Sequence, residues 1–273
     1  MRTITYCSLS IFALMMAGCA TEGTDTAAQK ANDQTVQDAP TPPPPASTGE
    51  PAKDLVQNAS YWGALYSQNA SNTEAATNYA KNLRKLGSVN KAHSVLVEAI
   101  SANPSSASLR AEYGKTLLVM GRTPEAVNVL EQAAELAPKN WQVQSAAGIA
   151  LDQAGDHSGA RLYYEAALAL APNNATVLNN YGLSRALGGD LAEAEVFLRR
   201  AVETGVGTPQ MRQNLALVIG LQGKFEEAER MARADLPPEI AENNVAFLRE
   251  MLTQPDPWRE LMDVEKNVRA QKP

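Results

Sequence analysis

The sequence predicts an all-α solenoid, a stack of about five similar helix-turn-helix units, and two observations lead to that prediction. Glycines recur at a fixed 34-residue interval through the middle of the chain, and each is followed by an alanine at a constant offset. The chain is 44% hydrophobic but only 5% aromatic, a composition that suits many small helices packed closely together. The recurring residues are Gly87, Gly121, Gly155, Gly189 and Gly223, with Ala92, Ala126, Ala160, Ala194 and Ala228.

Residues 141–174 show how one such unit is built. A first helix with apolar side chains on one face runs to Gly155, where glycine can adopt the left-handed conformation that ends a helix without Cβ strain. His157 lies in the turn that follows. The second helix starts near Ser158, buries Ala160 at the crossing with the first helix, and is stopped by Pro172. Each 34-residue repeat is therefore predicted to be a pair of antiparallel helices.

The first nineteen residues read as a bacterial lipoprotein signal. Arg2 precedes an apolar run over residues 4–16, which is shorter than the roughly 20 residues that a membrane-spanning helix needs. The small residues Ala17 and Gly18 lead into Cys19, and this tetrapeptide from Met16 resembles the lipobox. The resemblance implies cleavage before Cys19 and attachment of a diacylglycerol to its thiol. Ordinary cleavage beside an unmodified cysteine is the alternative.

The chain is predicted to contain six segments. The last of them, a tail over residues 253–273, carries Trp258, Leu261 and Met262 at helical spacing. This tail is either a frayed end or a short docking helix. The segments are a signal peptide (1–18), a lipidated cysteine with a Pro-rich tether (19–53), an N-terminal flanking helix (54–72), the repeats (73–236), a capping helix (237–252) and the tail (253–273).

Charge and motif content argue against nucleic-acid binding and against catalysis. The formal net charge is −6, and no run of Lys or Arg is long enough to follow a phosphate backbone. The two histidines, His93 and His157, lie two repeats apart and are not expected to share a metal. A nucleophile elbow, a phosphate-binding loop and paired metal-ligand spacing are all missing from the sequence. We therefore expect a non-enzymatic protein that needs no cofactor and has no small-molecule substrate.

The 34-residue period and the residues within it resemble the tetratricopeptide repeat (TPR). The resemblance implies a partner-binding groove lined by fixed positions of each first helix, with asparagine at position six bonding the backbone of a bound peptide. In this chain the groove would change from basic at its N-terminal end to apolar at its C-terminal end. Alternatively, the lysines are ordinary solvated charges, and the leucines pack against the next repeat or the capping helix. The candidate groove residues are Lys81, Arg84, Lys85, Lys115, Ile149, Asn180, Leu183, Asn214 and Leu217.

Four stretches give a narrower resemblance, namely residues 140–156, 179–194, 212–228 and 235–252. They resemble the TadD family, the TPR lipoproteins of the Tad (tight adherence, Flp pilus) assembly system. The resemblance implies a pilotin-like scaffold that binds the Tad secretin or another pilus component.

The same resemblance implies a lipid anchor in the outer membrane, with the protein facing the periplasm. Ala20 follows the lipobox cysteine in place of the Asp that is common in lipoproteins kept in the inner membrane. The alternatives are a TPR lipoprotein of type IVa pili or of β-barrel assembly, and an accessory to a cell-wall enzyme.

Overall fold

The computed structural model describes residues 43–253, and every regular element in that range is an α-helix, as predicted. The all-α, solenoid-type fold class is therefore confirmed. The helices are α1 (Pro51–Gln68), α2 (Thr73–Lys85), α3 (Val89–Ala102), α4 (Ala107–Val119), α5 (Thr123–Leu136), α6 (Trp141–Gln153), α7 (His157–Leu170), α8 (Ala175–Leu187), α9 (Leu191–Glu203), α10 (Pro209–Leu221), α11 (Phe225–Ala232) and α12 (Pro238–Thr253).

The helices fall into two compact units, which we describe separately. In the N-terminal unit (described residues 43–172), α2 packs on α3, α4 on α5 and α6 on α7, and the first helices α2, α4 and α6 also contact one another in sequence. In the C-terminal unit (described residues 173–253), α8 packs on α9 and α10 on α11, and α8 contacts α10. Within each unit the repeating element is thus a helical hairpin stacked on the next.

The turn inside each hairpin forms as the repeating glycines predict. Gly155 has φ of +81°, and Asp156 then caps α7 by accepting a hydrogen bond from the Gly159 amide at 2.9 Å. This cap starts α7 at His157, so His157 is the first residue of a helix and not part of the turn. Ala160 is fully buried, as expected for a residue at a helix crossing.

The N-terminal flanking helix begins earlier than predicted. The tether was expected to reach residue 53, but α1 starts at Pro51. Proline at the first helical position is pre-organised for a helix, and the Asp54 carboxylate accepts hydrogen bonds from the Thr48 amide and the Ser47 hydroxyl. These bonds satisfy polar groups just ahead of the helix and fix its start.

Several predicted segments lie outside the described residues: the signal peptide, the lipidation site Cys19, most of the tether and the tail from residue 254 onward. Their assignments stay predictions. None of the helices within residues 43–253 combines the length and the apolar content that a membrane-spanning helix requires.

Candidate protein-binding surface

Three lysines lie on two neighbouring first helices of the N-terminal unit. Lys81 and Lys85 stand four residues apart on α2, and therefore on one helical face, while Lys115 occupies on α4 the position that Lys81 has on α2. Helices α2 and α4 are in contact, and Lys85 is exposed while the other two lysines are partly exposed. We call Lys81, Lys85 and Lys115 the lysine cluster.

Arg84 was predicted to belong to this accessible basic surface, and the structure corrects that assignment. Its side chain is only 10% exposed, and its Nε donates to Oε1 of Glu112 on α4 at 2.8 Å. The Glu112 side chain is 3% exposed, and its other oxygen, Oε2, lies 3.9 Å from Lys115 Nζ. Arg84 therefore neutralises a buried carboxylate between two first helices and is not available to a partner.

Glu112 was missed from the sequence although the register could have found it. It stands at position six of its repeat, two repeats before Asn180. The 34-residue period therefore places it on the same face of a first helix as the predicted asparagines.

Apolar side chains accompany the lysine cluster. Val119, which lies one repeat after Lys85, is 56% exposed at the end of α4, and Leu86 is exposed just after α2. Ile149 on α6, a predicted groove residue, is partly buried. The basic surface of the N-terminal unit is thus also apolar, and a bound segment would need both kinds of side chain. Sequence reasoning missed Val119, and the 34-residue register was the signal that could have found it.

The predicted asparagines of the C-terminal unit are buried and bonded to other amides. Asn214 on α10 donates from Nδ2 to Oδ1 of Asn179 on α8 at 2.9 Å, and Asn179 donates to Oδ1 of Asn180 at 3.3 Å. Gln210 donates to Oδ1 of Asn214 at 3.1 Å. The Asn214 amide therefore joins two first helices of the unit, and its role as a peptide ligand stays a prediction. Asn180 is buried as well, so its amide is not exposed to a partner.

Leu183 was also predicted to line the groove, and it belongs to the core instead. Its side chain is 4% exposed and packs in one cluster with Ala194, Leu198 and Leu215. Leu217, one repeat further along, is partly buried against the same cluster. The apolar half of the predicted groove therefore serves mainly to join the helices of the C-terminal unit.

The two histidines serve separate local contacts in the N-terminal unit. His93 Nε2 lies 3.1 Å from a guanidinium nitrogen of Arg122 and accepts its hydrogen bond, since arginine can only donate. His157 Nδ1 lies 2.9 Å from a carboxylate oxygen of Asp152, whose second oxygen accepts from the Tyr164 hydroxyl at 3.0 Å. Within the described part of the chain, no group of three or more His, Cys, Asp or Glu side chains is arranged to hold a metal ion.

Comparison with known proteins agrees with the hairpin architecture. The tetratricopeptide-repeat family matches three overlapping segments, residues 79–140, 114–175 and 145–209. Among proteins with curated functions, none matches this sequence.

Two solved structures have a similar fold. TTC0263, a TPR protein of Thermus thermophilus, is 20% identical, with a TM-score of 0.54 over 64% of this chain and 97% of that chain. YrrB, described as a TPR protein with an unusual peptide-binding site, is 19% identical, with a TM-score of 0.52 over 69% of this chain and 98% of that chain. At these identities the likeness concerns the fold alone. Residues 79–209 thus match the tetratricopeptide repeat, and the stacked helical hairpins have the fold of solved TPR proteins.

Proposed function

We propose that this protein is a non-enzymatic scaffold that holds a segment of a partner protein against the first helices of its N-terminal unit. TPR folds suggest protein-protein interaction scaffolds in general. The observation that carries the proposal for this chain is the lysine cluster with exposed Val119 beside it, on two contacting helices of a protein whose net charge is −6. A segment with both acidic and apolar side chains fits this surface.

The two kinds of contact would contribute differently. An exposed ion pair contributes only about 0.2–1 kcal/mol and is weakened by salt, so the lysines would mainly speed and orient the encounter. Burial of apolar surface stabilises a complex by about 25 cal/mol for each Å², so Val119, Leu86 and Ile149 would supply more of the affinity. Association is therefore expected to depend on salt more steeply than dissociation does.

The narrower proposal concerns the partner and the location. The resemblance to the TadD family supports a component of the Tad pilus system, with the secretin as the first candidate. The lipobox ending at Cys19 supports anchoring in the outer membrane, with the repeats in the periplasm. The tether over residues 20–50 would separate the folded units from the lipid surface.

Reversing two charges of the lysine cluster should slow partner binding. We expect Lys81→Glu with Lys85→Glu to lower the association rate for an acidic secretin fragment about tenfold in ~50 mM salt, and by much less in ~500 mM salt. The measurement is surface plasmon resonance across a salt series with the chain lacking residues 1–19.

The matched control changes the net charge by the same amount, but at other positions of the N-terminal unit. Lys91 and Lys139 are exposed and lie off the predicted groove positions, so Lys91→Glu with Lys139→Glu should have a small effect. Equal slowing by the two double variants would mean that only the overall charge matters, and the lysine cluster would lose its role as the binding surface. A panel that includes type IVa secretin fragments, β-barrel assembly proteins and cell-wall enzymes distinguishes the alternative partners.

The anchor has its own test. Cys19→Ser removes the thiol that would be acylated, so labelling with radioactive palmitate should fall to background and the protein should leave the outer-membrane fraction. Cys7→Ser, which changes the other cysteine of the chain, should leave labelling unchanged. Palmitate incorporation into the Cys19→Ser protein would show that the lipobox assignment is wrong.

A further inference from the structure

The last described helix, α12, occupies the place of a first helix. In the C-terminal unit the first helix α10 contacts the preceding first helix α8, the preceding second helix α9 and its own second helix α11. Helix α12 makes the first two kinds of contact, with α10 and with α11. Residues 43–253 supply no second helix for α12, so its hairpin is incomplete in that part of the chain.

An apolar stripe runs beside the buried face of α12. Ala241, Val245 and Leu248 are buried on one side of the helix. Roughly 100° around the helix from them, Ile240 is 47% exposed and Phe247 is 41% exposed. A helix that ends a repeat array normally presents a polar outer face to water. The exposed stripe of Ile240, Phe247 and the partly buried Met251, which we call the α12 stripe, is therefore suited to pack against another helix.

The sequence beyond α12 has the spacing of an intra-repeat turn. Three residues separate α6 from α7 and α10 from α11, and three residues likewise lie between Thr253 and Pro257. Asp256 followed by Pro257 is a helix-start signal of the same kind as Thr208 followed by Pro209, where α10 begins. Pro255 stands where the other turns have glycine, and proline cannot adopt the positive φ that those glycines have.

The apolar residues of the tail match the α12 stripe in antiparallel order. At about 1.5 Å per helical residue, Phe247 and Ile240 lie about 6 and 16 Å from Met251 along α12. Counted the same way, Leu261 and Val268 lie about 5 and 15 Å from Trp258, and in a helix all three would fall within about 80° of one another. Each apolar side chain of one helix would therefore meet an apolar side chain of the other.

The charged residues of α12 and of the tail are also complementary in the antiparallel orientation. Glu239 and Glu242 lie in the N-terminal half of α12, and Lys266, Arg269 and Lys272 lie in the last eight residues of the chain. An antiparallel arrangement brings these two ends together. Opposite charges at adjoining helix ends favour this orientation over a parallel one.

From these observations, we propose that residues 257–269 form a helix that packs antiparallel on the α12 stripe and completes a sixth helix-turn-helix unit. The helix covers the end of the C-terminal unit and removes Ile240 and Phe247 from water. This inference is independent of the partner proposed above.

Disulfide trapping tests the proposal in the full chain carrying Cys7→Ser and Cys19→Ser. In the proposed arrangement Asn244 on α12 lies opposite Glu265 of the tail, and neither is one of the matched apolar residues. Asn244→Cys with Glu265→Cys should form an intramolecular disulfide, detected by mass and by mobility on a non-reducing gel. The control pair is Glu242→Cys with Glu265→Cys, because exposed Glu242 is two residues away on another side of α12. The first pair should oxidise about tenfold faster than the control, because docking raises the effective thiol concentration.

Adding Leu261→Asp and Met262→Asp to the trapping pair should lower its rate to that of the control, because these changes place charges in the apolar contact. Equal rates for the two cysteine pairs would overturn the proposal, since a tail without a fixed position reaches both sites. Disulfide-linked dimers whose yield rises with protein concentration would also overturn it and would place the tail on a second copy. A trapping rate unchanged by the two aspartates would show that the apolar match does not hold the helix.

Discussion

Replacing Leu183 with aspartate is expected to unfold the C-terminal unit. Leu183 is 4% exposed and contacts a cluster that includes Leu198 and Leu215. Removing a buried leucine side chain costs about 2–5 kcal/mol, and the carboxylate must also be desolvated or protonated. The total approaches the roughly 5–15 kcal/mol of free energy that separates most folded domains from their unfolded state. The variant therefore tests stability and is unsuitable as a test of partner binding.

The measurement is hydrogen exchange by mass spectrometry, read for helices α8–α11 of the purified variant. Protection of these helices should fall by two or more orders of magnitude, which corresponds to about 3 kcal/mol or more. Leu162→Asp is the matched control, because Leu162 is exposed on α7 and should tolerate the charge. Wild-type protection in the Leu183→Asp protein would show that the side chain is accessible and would restore Leu183 as a candidate binding residue.

The sequence was sufficient to predict the hairpins because their ends depend on local chemistry. Gly155 ends a helix since glycine tolerates positive φ, and Ala160 marks a crossing since only a small side chain fits there. Such requirements recur in every repeat and appear as the 34-residue period. The start of α1 at Pro51 was missed because it depends on Asp54 bonding to residues outside any repeat.

Side-chain accessibility was harder to predict because one register position can have two outcomes. Lys81 and Leu183 occupy the same position of their repeats, yet Lys81 is partly exposed and Leu183 is buried. A lysine can pack its methylene chain while carrying the ammonium to water, whereas leucine gains only by burial. Asn214 shows the same difficulty for polar residues, because an amide can bond a partner or a neighbouring helix. The register predicts which face of a helix a residue lies on, whereas contacts between helices determine whether that residue is buried or exposed.

Removing the Glu112 carboxylate is expected to cause a large loss of stability in the N-terminal unit. Glu112 accepts from Arg84 at 2.8 Å, and both side chains are at least nine-tenths buried. Breaking a buried ion pair from one side typically costs about 3–5 kcal/mol, because the remaining charge is left in a poor environment. Glu112→Leu should therefore lower the free energy of unfolding by about this amount, measured by urea denaturation. Replacing both partners, Glu112→Leu with Arg84→Met, should recover most of it, because similar volumes then pack without charge.

The milder substitution Glu112→Gln connects this buried pair to the proposed binding surface. The amide keeps an oxygen that can accept from Arg84 but removes one negative charge 3.9 Å from Lys115. The lysine cluster then presents a more positive field, so an acidic segment should associate faster at low salt, opposite in sign to the effect of Lys81→Glu with Lys85→Glu. The comparison is made at about 50 and about 500 mM salt, after urea denaturation has shown that the variant is folded. If association stays faster at about 500 mM salt, the effect is not electrostatic. If the association rate at about 50 mM salt is unchanged, the partner binds away from Lys115.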